Sequence, residues 1–154
     1  MECDYRTVAL SRIDADNQHF RITTRSSTDA IRSSIQKVGL INPPTLLPQN
    51  DRFVVIAGFG RIAACRSLGW DELVARCLPT QIDAVHCALT AIADNLTQRS
   101  LNLVEMARAW DLLTRTVASP EKAESLAHSL GLAVNKELAS KFKQVLEMAE
   151  PLQQ

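Results

Sequence analysis

The chain has no excess of either charge: 17 Lys and Arg balance 17 Asp and Glu over 154 residues. Such a molecule presents no overall polybasic surface, so any nucleic-acid contact must come from a local patch. Long apolar runs are missing too. No segment approaches the ~18 uninterrupted apolar residues of a membrane span, and the N-terminus MECDYRTVAL lacks the basic region and apolar stretch of a secretion signal. Cysteine is sparse. Cys3, Cys65, Cys77 and Cys87 form no CxxC pair and have no histidine at zinc-ligand spacing, which excludes a structural zinc site. Apolar neighbours around the last three predict buried, reduced thiols and a cytoplasmic protein with no membrane partner. Internal repeats and low-complexity segments are absent as well.

What remains is a chain long enough to bury roughly two-thirds of its unfolded surface. YRTVALSRIDA predicts a first strand. SSTDAIRSSIQKVGL predicts a helix capped by Ser27 or Thr28, with Ile31, Ile35 and Val38 as its apolar stripe and Gly39 as its stop. PPTLLP and RFVVIAG read as two strands around the turn QND. A helix from Arg61 to Leu68 and a strand ELVARCL follow. Thr80 and Asp83 have the spacing of a capping box at the head of TQIDAVHCALTAIADN. Beyond this point every segment reads as helix. One places Leu103, Ala107, Trp110 and Val117 on its stripe, with Glu105, Arg108 and Asp111 elsewhere. The next opens with Ser119 and Pro120, and the last turns Leu138, Phe142 and Val145 inward. The composition therefore changes from mixed α/β to all-helical between about residues 80 and 100. The chain finishes directly after its last helix, as a piece of a longer protein would.

One stretch carries chemistry. In VVIAGFGRIAACRSLGW, a strand meets Gly58, Gly60 and Arg61 immediately before a helix. Backbone N–H groups at a helix start have no acceptor inside the helix, and the dipole there favours negative charge. Glycine lets a ligand approach the backbone closely, and arginine adds a charged fork suited to phosphate. The natural guest is an oxyanion. The stretch lacks the third glycine of a dinucleotide fingerprint and the GK[ST] of a P-loop.

Four segments in order give this site a context. VVIAGFGRIAACRSLGW resembles the part of the ParB/sulfiredoxin superfamily in which a strand runs into G-E-R-R-x-x-A and a helix. AIRSSIQKVGLINPPTLLP is similar to the helix and strand upstream of it. ADNLTQRSLNLVEMARAW resembles the ParB element E-N-x-Q-R followed by L-N and a Glu-Ala helix, and SLAHSLGLAVNKELASKFKQVLEMAEPLQ resembles the ParB helix-turn-helix. The resemblance implies an α+β architecture: a small mixed-sheet domain over residues 1–95, then an all-helical domain over 96–154 with a helix-turn-helix at about 123–146.

It also implies a ligand set. The phosphates of CTP or another nucleoside triphosphate, with Mg2+, would be held by Gly58, Phe59, Gly60 and Arg61, by Asn95, Gln98 and Arg99, and by Arg21 ahead of the first helix. Double-stranded DNA would meet Asn135, Lys136, Ser140, Lys141 and Lys143 on the second helix of the motif, where lysine and serine suit phosphate and asparagine suits adenine. The implied protein is a nucleotide-gated DNA-binding homodimer of the partition or plasmid/phage-maintenance type, working with a partition ATPase. Two departures are visible. Phe59 stands where the family has an acidic residue that organises metal and hydrolysis, so phosphate binding carries over more securely than turnover. DNLTQR also holds one residue more than the family element. Two rivals share the scaffold: a nucleotide-dependent phosphotransferase or hydrolase, and an interaction module whose turn holds nothing.

Overall fold

The computed structural model describes residues 3–24 and 28–149. They form two compact units, one of Met1–Arg21 with Arg25–Ile82 and one of Ile22–Thr24 with Asp83–Gln154. Taken together, a mixed five-stranded sheet and a run of helices make an α+β protein.

In the first unit, strands β1 (Asp4–Ala9), β2 (Ile13–Asp14), β3 (Thr45–Gln49), β4 (Arg52–Ala57) and β5 (Glu72–Cys77) lie in the order β1-β5-β3-β4-β2. The hairpin β3–β4 turns at Asn50, whose φ of 53° suits a residue tolerant of the left-handed region. After the exposed Arg52, β4 is apolar from Phe53 to Ala57 and every one of these residues is buried, Val55 and Ile56 completely, as in a strand covered on both faces. Helices α1 (Thr28–Val38) and α2 (Phe59–Ser67) belong to the same unit. Cys65 and Cys77 sit in its core, free and buried, and burial pushes both thiols up.

Three expectations are corrected here. The single strand YRTVALSRIDA is broken by a 3-10 turn at Leu10–Arg12, sending β1 to one edge of the sheet and β2 to the other. The Arg66 guanidinium of α2 accounts for the break: it donates to the carbonyls of Leu10 and Ile13, both at 3.0 Å, satisfying groups that a continuous ladder would have used. Val38 is 63% exposed at the end of α1. Gly39, with φ 79°, turns the chain so that Leu40 packs on the core in its place. The proposed cap Ser27 lies outside the described residues. Finally, α2 begins at Phe59 rather than Arg61.

The second unit contains α3 (Ala84–Gln98), α4 (Leu103–Thr116), α5 (Pro120–Ser129) and α6 (Lys136–Ala149), with α3, α5 and α6 all packing on α4. Asp83 caps α3 by itself, accepting from the His86 N–H at 2.8 Å. Thr80 takes no part, since an aspartate at the N-cap already satisfies the exposed amide. Ser119 and Pro120 open α5 as expected. The stripe of α4 is the expected one only in part: Ala107 and Val117 are buried and Trp110 is half-buried. Leu103 is 50% exposed, whereas Glu105 is fully buried beside Ala107, Ala109, Leu112 and Leu113. Among the described residues, no helix is long and apolar enough to cross a membrane.

Candidate functional site

β4 ends at Ala57 and hands the chain to Gly58, whose φ of 95° lies in the left-handed region. A side chain cannot follow: a Cβ here would stand 2.8 Å from Pro44 Cβ and 3.0 Å from Pro44 Cα. The turn is thus both strained for other residues and closed on one side by proline. The first helical hydrogen bond runs from the Ile62 N–H to the Gly58 carbonyl, 3.1 Å. Phe59, Gly60 and Arg61 form the first turn, where amides have no acceptor within the helix, and Gly58 has no side chain to cap them. Gly60 is an ordinary helical residue without a positive φ.

The arginines behave differently from one another. Arg61 turns back to the chain before β3 and donates to the carbonyls of Asn42 at 3.0 Å and Pro43 at 3.1 Å. It clamps the bend that brings Pro44 onto Gly58. Arg21 donates to Gln18 Oε1 at 2.8 Å, and its guanidinium lies 6.0 Å from the Phe59 ring centroid. Its Nε is buried and without a hydrogen-bond partner among the described residues. Phe59 itself packs against the core of the unit. The structure therefore brings Arg21, Gly58, Phe59, Gly60 and Arg61 together.

The other candidates lie in the second unit, where each has a local task. Asn95 Nδ2 donates to the Ala91 carbonyl and Gln98 Nε2 to Asp94, both at 2.7 Å. Arg99 grips Glu105 with two bonds of 2.7 and 2.6 Å. Glu105 was missed as a key residue because a charge was placed off the apolar stripe. It closes a capping box with Asn102, and it also accepts from the N–H of Thr24 at 3.2 Å. Burial pushes its carboxyl up, but the Arg99 guanidinium and the amides of Asn102 and Thr24 outweigh burial and hold it below the usual range. The spacing N-x-x-E ahead of an apolar run was the available signal.

On α6, Lys136, Ser140, Lys141 and Lys143 are exposed. Lys141 pairs with Glu137 at 2.7 Å, and Ser140 Oγ donates to the Glu137 carbonyl. Asn135 caps the helix, its Oδ1 accepting from the Leu138 N–H at 2.7 Å. The cap occupies one of the two acceptor sites of this oxygen and leaves Nδ2 unused.

Sheet, glycine turn and helix define a ParB-like mixed-sheet domain with a helical unit after it. The ParB N-terminal domain family model matches residues 2–96, and the chain belongs to that family. It is 30% identical over 105 residues to a probable chromosome-partitioning protein ParB of Campylobacter jejuni, covering 68% of this chain and 37% of that one. It is 29% identical over 126 residues to a nucleoid occlusion protein of Halalkalibacterium halodurans, covering 82% and 42%. The chain thus spans less than half the length of these two curated relatives. Among solved structures it is similar to the C-terminally truncated chromosome-partitioning protein ParB of Caulobacter crescentus. The form complexed with CTP-γ-S gives a TM-score of 0.54 at 18% identity, covering 96% of this chain and 92% of that one. The form complexed with the centromeric parS site gives 0.52 at 16% identity, covering 93% and 71%.

Proposed function

We propose that this chain is the nucleotide- and DNA-binding part of a cytoplasmic partition or nucleoid-occlusion protein that acts as a homodimer with a partition ATPase. The first turn of α2 takes the phosphates of CTP or another nucleoside triphosphate, and α5 with α6 forms the helix-turn-helix that meets duplex DNA. The observation that carries the reading is the Gly58 turn, with its left-handed φ, its proline wall and the unpartnered Arg21 Nε beside Phe59. Amides of the first turn would take the phosphate oxygens, Arg21 would supply charge, and Arg61 would keep the turn in shape. Asn95, Gln98 and Arg99, the second family element, keep their local bonds within the helical unit. Lys136, Ser140, Lys141 and Lys143 would contact DNA phosphates, with Asn135 at the head of their helix.

Magnesium comes with the nucleotide in the family resemblance. The first turn of α2 contains no acidic residue, and among the described residues no group of three or more His, Cys, Asp and Glu could hold a metal ion. A resident magnesium does not fit this turn.

Thermal melting with CTP-γ-S tests the first half. At a hundredfold excess over the dissociation constant, stabilisation of about 2.7 kcal/mol raises the midpoint by about 5–10 °C. A flat response to CTP-γ-S, ATP and GTP removes the nucleotide from the proposal. Duplex titration tests the second half: affinity falls steeply with salt, and Lys143→Ala lowers it on every sequence and reduces the salt slope by about one. Salt-insensitive or absent binding removes the DNA.

A further inference from the structure

We infer that the β1 edge of the sheet is a pairing surface for a second copy of this chain. β1 has a neighbour on one side only among the described residues, the antiparallel strand β5. Its first four residues, Asp4 to Thr7, are exposed. Tyr5 is 62% exposed, unusual for the only tyrosine of the molecule. On the opposite face of the strand, Asp4 and Arg6 form an ion pair of 3.1 Å. Cys3, just before the strand, accepts a hydrogen bond from the Arg76 guanidinium on β5, so the edge is tied down to its beginning.

Exposed strand edges offer unpaired backbone groups to any passing strand, and natural proteins guard them with charge. A guard of one sign repels in every register. Here the guard has both signs placed symmetrically about Tyr5, and this leaves one register open. In an antiparallel pair with its two-fold axis through Tyr5, Asp4 stands opposite Arg6 of the second copy and Arg6 opposite Asp4 of the second copy. The two tyrosines face each other, and Cys3 meets Thr7. Cross-strand neighbours of opposite charge and paired aromatics both favour such a ladder. The neighbouring registers are worse. A two-residue slip one way sets Asp4 against Asp4, and the other way Arg6 against Arg6. A one-residue slip puts side chains on the wrong faces. Parallel in-register pairing stacks like charge on like charge. The arrangement is isologous, so it closes as a dimer and does not propagate.

The strand is short, and the pairing is of the weak, transient kind. It gives the homodimer of the proposed function one defined surface, and it requires neither nucleotide nor DNA. Sedimentation velocity over a wide protein concentration range is the test. The chain alone should show a monomer–dimer equilibrium. Asp4→Arg and Arg6→Asp should each weaken it at least tenfold, and the double variant Asp4→Arg/Arg6→Asp should restore it, because swapping both signs preserves the match. All three should melt as the parent does, since both side chains are more than half exposed. A chain monomeric at every concentration, single reversals without effect, or a double variant as weak as the singles would overturn the inference. A retained response to CTP-γ-S in that event leaves the nucleotide reading standing.

Discussion

Glu105→Ala is expected to destabilise the helical unit by about 3 kcal/mol, a fall of about 10 °C in its melting midpoint. The side chain is 1% exposed and gathers four donors: both terminal nitrogens of Arg99, the Asn102 N–H and the Thr24 N–H. Removing the carboxylate leaves two backbone amides without their acceptor, opens a cavity under the first turn of α4 and ends the capping box. Arg99 is 47% exposed and can turn to water, which keeps the loss below the upper end for a broken buried pair. Glu105→Gln preserves the shape and one acceptor oxygen, and it should lose about half as much. The effect has a pH signature. The folded-state carboxyl lies below its ordinary value of 4.5, so as acid is added the unfolded chain binds the proton first. The stabilisation is complete above pH 4.5 and is lost as pH falls through the folded value. The melting difference between Glu105→Gln and the parent should therefore shrink in that window. A Glu105→Ala variant that melts within a degree of the parent removes Glu105 from its place in the architecture.

The same residue marks where sequence legibility ends. Local chemistry was readable: the β3–β4 hairpin around Asn50, the stop at Gly39, the Ser119–Pro120 helix start and the glycine turn after β4 all follow from neighbours in the chain. Partners distant in sequence were not. Nothing near YRTVALSRIDA announces that Arg66, more than fifty residues on, will take the Leu10 and Ile13 carbonyls and split the strand. Periodicity put apolar Leu103 inside and charged Glu105 outside, whereas hydrogen-bond accounting reversed them. A buried carboxylate with four donors costs less than one with none, and periodicity does not count donors. At the site, residue types pointed to an anion, but the direction of each arginine depended on tertiary structure. Arg61 faces backbone carbonyls of a loop whose position no local pattern reveals.

Gly58→Ala should be the most damaging substitution at the turn, for two reasons that can be separated. The left-handed φ of 95° costs an L-residue about 1–2 kcal/mol, and the new methyl would also stand 2.8 Å from Pro44 Cβ. Pro44 has little room to retreat. Arg61 holds the carbonyls just before it, and the Pro44 carbonyl itself accepts from the Arg76 N–H of β5 at 2.9 Å. A total of about 3 kcal/mol follows, the excess over strain arising from overpacking. Gly39→Ala supplies the comparison: its φ is 79° and nothing lies within 4 Å of the new methyl, so it reports strain alone. Chemical denaturation should rank the two about 1–2 kcal/mol apart. Adding Pro44→Gly to Gly58→Ala should recover part of that gap, because it removes the atom nearest the methyl. On the proposed function, only the Gly58 variants should also lose the response to CTP-γ-S, since displacing the Pro44 bend moves the first-turn amides away from the phosphates proposed for them. Equal losses for Gly58→Ala and Gly39→Ala would mean that the proline wall exerts no force on the turn, and the shape assigned to the phosphate cradle would go with it.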